Sequence, residues 1–284
     1  MTDKCGALDS ISGRYMIVGP TRSGTTALHL VLAGHPEISV FVGELSFPRL
    51  AAGLAQFSRK GHATDSEMRY GRIALFDAIA GCARTADTRV LGAKTTVNAP
   101  RQARHFVETV RRYLPGIKII IAVRSDVVAH YGSRARLIET GVAHSWEQKG
   151  KADTAGMVTI DRWLLANSVL VNMENYQTLS SVSKYVECYE VNYEEFAKDN
   201  DLAYRRLLKY LGLDYVKPDW LTAKKLHLNP ESYIKDYTNL VRFVDRLKVV
   251  YAEDSLSRHY VNAVKIYAKI RSAMSSRKSA RKAR

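Results

Sequence analysis

The sequence predicts an α/β fold with a central parallel sheet covered on both faces by helices. Three observations carry this. Apolar runs of strand length alternate with runs of helix length through most of the chain. Ile117–Val123, apolar but for Lys118, suits a strand buried on both faces of a parallel sheet. Val18–Gly–Pro–Thr–Arg–Ser–Gly–Thr–Thr26 joins an apolar run to a helical one through a glycine-bearing turn, the setting in which a turn can hold a phosphate.

In chain order, Tyr15–Val18 reads as a buried strand and Ala27–Leu32 as the start of a helix. The helix breaks at His35–Pro36, and Ile38–Val42 forms a second strand ending at Gly43–Glu44. Ala51–Thr64 reads as irregular or a short helix. In Glu67–Arg84 the residues Ile73, Leu75, Phe76, Ile79 and Ala80 fall at helical spacing. Arg89–Gly92 is a brief strand running into a polar turn, Ala93–Thr96. Ala99–Leu114 is an amphipathic helix stopped by Pro115–Gly116. After the Ile117–Val123 strand, Asp126 caps a helix reaching about Glu139.

Gly141–Gly156 is polar and patternless and reads as a loop over a site. Thr159–Leu179 is a helix, Lys184–Val191 a strand, and Glu194–Leu211 a helix ended by Gly212. Val216–Tyr237 is loop-rich and Leu240–Arg271 mostly helical. Without a repeat or a linker, residues 1–270 read as one domain, with 271–284 as a basic tail.

Composition narrows the function classes. An apolar content of 46% suits a chain that buries a sizeable core, and no run of 18 apolar residues spans a membrane. Met1–Ser12 lacks the apolar stretch of a signal peptide. Cys5, Cys82 and Cys188 have no paired metal spacing, so they read as reduced thiols of a cytoplasmic protein, with no metal expected. A net charge of +15 favours anionic partners, and Arg271–Arg284 contributes six basic residues and no acid. That tail has no aromatic residues for stacking on single strands, so it reads as a solvated extension and no specific nucleic acid is expected.

The loop itself is more specific. Gly19-xxxx-Gly24-x-Thr26 has the spacing of a nucleotide P-loop, but Thr25 stands where a kinase or GTPase carries the lysine that reaches the terminal phosphates. The nearest cation is Arg22. The fold expected is therefore a three-layer, P-loop-type α/β domain. Ligands in such sheets bind beyond the carboxyl ends of the strands, which makes Arg22, Glu44, Lys94, Arg124 and Tyr193 the site candidates.

Pro20–Thr26, followed by His35–Pro36 and Gly43–Glu44, resembles the sulfotransferases that use 3′-phosphoadenosine 5′-phosphosulfate (PAPS). Gly43–Glu44 with Pro48–Arg49–Leu50 is similar to the tyrosylprotein branch, and bacterial carbohydrate sulfotransferases carry a related Gly-Glu. The resemblance implies that Arg22, Ser23, Gly24, Thr25 and Thr26 hold the 5′-phosphosulfate. It puts Arg124 on the 3′-phosphate, with Arg136 as a further arginine there. The family's serine eight residues after that first arginine is here Gly132, with Ser133 one later. Tyr193 resembles a residue near the nucleotide, Leu211–Gly212–Leu213 a segment after it, and Lys235 a nucleotide-contacting lysine.

Sulfuryl transfer needs an acceptor hydroxyl deprotonated, the group positioned in line, and charge neutralised on the leaving phosphate. Glu44 is the candidate base, and Arg22 and Lys94 the candidate charges; Lys94 in a polar turn also fits a solvated lysine. His35 reads as a turn residue, and His105, His130 and His144 have no clear partner in the sequence. The product would be adenosine 3′,5′-bisphosphate (PAP), and the acceptor a small molecule, glycan or tyrosyl peptide. Two alternatives are a P-loop kinase or NTPase, which the residue at Thr25 disfavours, and a non-enzymatic anion- or nucleic-acid-binding protein.

Overall fold

The computed structural model describes residues 11–41, 44, 85, 87–140, 156–217, 229–252, 263, 264, 266 and 267. The expectations for Gly43, Pro48–Leu50, Ala51–Thr64, the Glu67–Arg84 helix, nearly all of the Gly141–Gly156 loop, His144 and the basic tail lie outside these residues. The chain divides into two compact units: residues 1–125 with 174–224, and residues 126–173 with 225–284.

The first unit holds one five-stranded sheet. Its strands are β1 (Gly13–Gly19), β2 (Ile38–Val40), β3 (Val90–Thr96), β4 (Lys118–Val123) and β5 (Cys188–Asn192). Their order is β2-β3-β1-β4-β5, and every pairing is parallel. Side chains alternate between faces. Met16, Val18, Ala93, Ile119 and Ile121 pack against Ala103, Phe106 and Val110 of α2 (Pro100–Tyr113). Tyr15, Ile17, Ile120 and Ala122 pack on the other face with Leu28, Val31 and Leu32 of α1 (Thr25–Ala33). Tyr204, Leu207, Leu208 and Leu211 of a later helix join that second layer. This is the three-layer α/β arrangement the sequence predicts. Because β1 lies between β3 and β4, the connections diverge at its carboxyl end, where a crevice opens in such sheets.

In the second unit α3 (Val127–Thr140) begins at Asp126, whose carboxylate accepts from Ala129 N–H at 2.8 Å, the cap expected from sequence. Its core joins Val128, Leu165, Ala166, Val169, Tyr233, Ile234, Leu240 and Val244. Helix α4 (Arg162–Ser180) contributes to both units.

Three of the departures from the expected elements lie in the first unit's later strands and helices. β3 runs four residues past Gly92, so Lys94 lies in a strand and not in a turn. The reason is the ladder: β1 continues pairing as far as Gly19↔Thr96, and a central strand follows its partner whatever its polarity. Ser181–Lys184 forms a 3₁₀ turn, which delays β5 to Cys188. The Glu194–Leu211 helix is two helices, α5 (Tyr193–Lys198) and α6 (Asn200–Leu211). Asp199 leaves the helical conformation there, and its carboxylate caps the second helix through Leu202 N–H at 3.0 Å.

Candidate active site

Between β1 and α1 the chain turns tightly. Ser23 N–H donates to Pro20 O at 3.1 Å, and Arg22 sits in the left-handed region with φ 72°. That conformation costs a side-chain-bearing residue about 1 kcal/mol, so neighbours must hold it. Two side chains from outside the loop do so. Asn98 Oδ1 accepts from Thr21 N–H at 2.9 Å, and Arg124 Nη1 donates to Arg22 O at 3.0 Å. Gly24 follows with φ 92°; a Cβ there would also lie 2.3 Å from the Tyr193 ring. Thr25 is buried and Thr26 half-buried at the start of α1, whose first-turn N–H groups have no acceptor within the helix. Ser23 is fully buried, and its hydroxyl has no hydrogen-bond partner among the described residues.

On the β3 side, the register sets Lys94 beside Ile17 and Thr96 beside Gly19, the residue from which the loop departs. The Lys94 ammonium lies 3.9 Å from one Glu44 carboxylate oxygen, and the Thr96 hydroxyl donates to the other. Lys94 is buried, and the resulting loss of hydration holds its pKa below the usual lysine value, partly offset by Glu44. His29 of α1 stands close by. Its Nε2 meets Phe41 O at 2.8 Å. A carbonyl only accepts, so the ring proton is on Nε2 and Nδ1 is bare, without a partner among the described residues. Burial lowers the His29 pKa, the bond to the Phe41 carbonyl opposes this and the charge of Lys94 adds to it, so the net shift favours the neutral ring. It ties α1 to a backbone position three residues before Glu44.

On the β4 side, Arg124 follows the strand end as expected and is held on several edges. Besides the bond to Arg22 O, its guanidinium carbon lies 4.8 Å from the Tyr193 ring centroid, and its Nε is 3.7 Å from Glu194 Oε1. Its backbone N–H donates to the Tyr176 hydroxyl at 3.1 Å, and burial pushes that phenol up to about 12. Glu194 Oε2 accepts from Ser125 N–H at 3.0 Å. Asn192 caps α5, its side-chain oxygen accepting from Glu194 N–H and Glu195 N–H at 2.9 and 3.1 Å.

The loop, Glu44, Lys94, Arg124 and Tyr193 thus gather at one end of the sheet in the first unit. Ser133, Arg136 and Lys235 belong to the second unit. There the Arg136 guanidinium carbon is 5.4 Å from the Tyr233 ring centroid. Ser133 is half-buried and Lys235 exposed, with its N–H donating to Val158 O at 3.0 Å. Gly132 has a local reason: a Cβ there would come within 2.3 Å of Ile234 Cδ1, so Ile234 occupies the space a serine needs. His35 is a turn residue as expected, its Nδ1 accepting from Glu37 N–H at 3.1 Å. His130, without a partner in the sequence reading, meets Asn172 at 3.1 Å.

Sequence reasoning missed Asn98, Thr96, His29, Tyr176 and Glu194. Glu194 follows a residue already singled out, and Asn98 stands between a strand and the Pro100 that starts a helix. Those positions are signals that could have found both. Nothing in the sequence marks His29 or Tyr176. Among the described residues no group of three or more His, Cys, Asp or Glu could hold a metal, and no helix is long and apolar enough to cross a membrane.

The model of a sulfotransferase family matches residues 15–217. Similar solved structures include the sulfotransferase domain of the Synechococcus PCC 7002 olefin synthase, at 15% identity over 86% of this chain and 96% of that one, TM-score 0.43. A sulfotransferase from Alicyclobacillus acidocaldarius is 17% identical over 86% of this chain and 98% of that one, TM-score 0.43. Mouse sulfotransferase SULT7A1, complexed with PAP, is 16% identical over 93% and 92%, TM-score 0.45. No curated protein matches the chain.

Proposed function

The chain belongs to the sulfotransferase family, and from that premise we propose that it moves a sulfuryl group from PAPS to the hydroxyl of a carbohydrate, tyrosyl peptide or small metabolite. The residues present fit an anionic donor. The β1–α1 loop offers first-turn N–H groups, an orphaned Ser23 hydroxyl and the guanidinium of Arg22, and it lacks the lysine a triphosphate requires. PAPS supplies the activated sulfuryl group. On this reading, within the first unit, Arg22, Ser23, Gly24, Thr25 and Thr26 hold its 5′ end, Arg124 its 3′-phosphate and Tyr193 the rest of the nucleotide. The free Cys188 thiol accords with a reducing cytoplasm.

The observation that carries the reading is the carboxylate of Glu44, held by Lys94 and Thr96 on the strand paired with the one that feeds the loop. Glu44 takes the proton of the acceptor hydroxyl as its oxygen bonds to sulfur. The bond from sulfur to the phosphate oxygen breaks, and Lys94 and Arg22 balance the charge left on that oxygen. Lys94 serves this because burial leaves its charge poorly screened.

The test is Glu44→Gln, assayed with PAPS and a panel of hydroxyl acceptors beside calorimetry with PAP and ATP. Turnover falls about 1,000-fold while PAP binding is kept, and ATP binds more weakly than PAP. Retained turnover removes Glu44 from the mechanism, and a preference for ATP removes the donor.

A further inference from the structure

Arg124 is held in a way that its expected contact with a 3′-phosphate does not require. Its Nη1 bonds the carbonyl of Arg22, inside the loop proposed to hold the other end of the donor. Its guanidinium carbon lies over the Tyr193 ring, which in turn fills the space beside Gly24. Its side chain is only 12% exposed, and its Nε is buried with no hydrogen bond. A buried guanidinium is stabilised by a nearby carboxylate that offsets lost hydration, and among the described residues that carboxylate is Glu194, 3.7 Å from Nε.

Glu194 does more than balance charge. Its second oxygen accepts from Ser125 N–H, the residue after Arg124, so one carboxylate faces both the side chain of Arg124 and the backbone that follows it. The carboxylate is itself fixed. Glu194 lies in the first turn of α5, whose N-terminus Asn192 caps, and Asn192 Nδ2 also donates to the Ser125 hydroxyl. With Nη1 and Nε directed at protein groups, Nη2 makes no hydrogen bond among the described residues.

We propose that Glu194 is a positioning residue that holds Arg124 so that one guanidinium both braces the β1–α1 loop and receives the 3′-phosphate of the donor. The inference rests on the PAPS reading above. It makes an electrostatically unexpected demand. A carboxylate near a phosphate site repels the phosphate, so removing it would strengthen binding if charge alone mattered. If positioning matters more, removing it weakens binding, and only for nucleotides that carry the 3′-phosphate.

Calorimetry of PAP and AMP against the wild-type chain, Glu194→Ala and Glu194→Gln separates the two. The wild type prefers PAP. In Glu194→Ala that preference falls about tenfold, through weaker PAP binding. Glu194→Gln keeps an acceptor for Ser125 N–H and retains part of it. KM for PAPS rises in step, with a smaller change in kcat. A merely structural role would lower the melting temperature and weaken both nucleotides equally. An unchanged or larger preference in Glu194→Ala, or equal weakening of PAP and AMP, overturns this inference alone. A wild-type chain that does not distinguish PAP from AMP overturns it together with the donor reading.

Discussion

The two flanks of β1 are built differently. Toward β4 and β5, Arg124 is nearly buried and engages Arg22, Tyr193, Glu194 and Tyr176, so that flank is fixed by the fold before any ligand arrives. Toward β3, Lys94 is buried but the carboxylate it faces is 49% exposed, held by Thr96 and Lys94 and open to solvent. The difference suits the two tasks proposed for these flanks. A nucleotide with fixed shape gains from preorganised contacts. A base must meet acceptors that arrive from water, so it needs an open face and a polarised environment at once.

Three measurements sharpen or break this contrast. The largest effect is expected on the β3 flank. Lys94→Ala lowers kcat about 100-fold, because charge developing on the leaving oxygen loses a poorly screened partner. PAP affinity measured by calorimetry falls far less, and equal losses in both would mean that Lys94 serves binding.

Asn98→Ala comes next and acts on binding. It removes the acceptor for Thr21 N–H and frees a loop that carries Arg22 at φ 72°. PAP affinity weakens about tenfold, the loss of one exposed hydrogen bond together with the loop order it maintains. An unchanged affinity would show that Arg124 alone holds the loop.

The smallest effect is a pH displacement. In the proposed mechanism Lys94 works as the ammonium, and burial holds its pKa below the ordinary lysine value. The alkaline fall in kcat therefore begins below the usual lysine range, since the charge is lost as pH rises through the lowered pKa. Lys94→Arg stays charged and lacks that limb, where the variant retains measurable turnover. An identical limb in both proteins would assign it to another group.

Much of this was legible in the chain. The loop announces itself through local chemistry: Gly24 is required by its backbone conformation, and a strand and a helix flank it within a few residues. Asp126, Gly212 and Pro100 mark helix ends for equally local reasons. The alternation of elements gave the layers, because burial on both faces of a parallel sheet leaves long apolar runs.

Local pattern could not place Lys94. Its polar neighbours argue for a turn, and only the β1–β3 ladder, set by residues some 75 positions away, extends the strand through it. The same holds for Glu194 and His29. Each is an ordinary residue on a helix until the packing of the sheet brings Arg124 to one and Phe41 to the other. Composition and short-range spacing determined which elements form and where a phosphate could sit, since those depend on backbone preferences a few residues wide. Which side chains share charge across that site was decided by strand order and register, because electrostatic contact depends on distance in space and not along the chain.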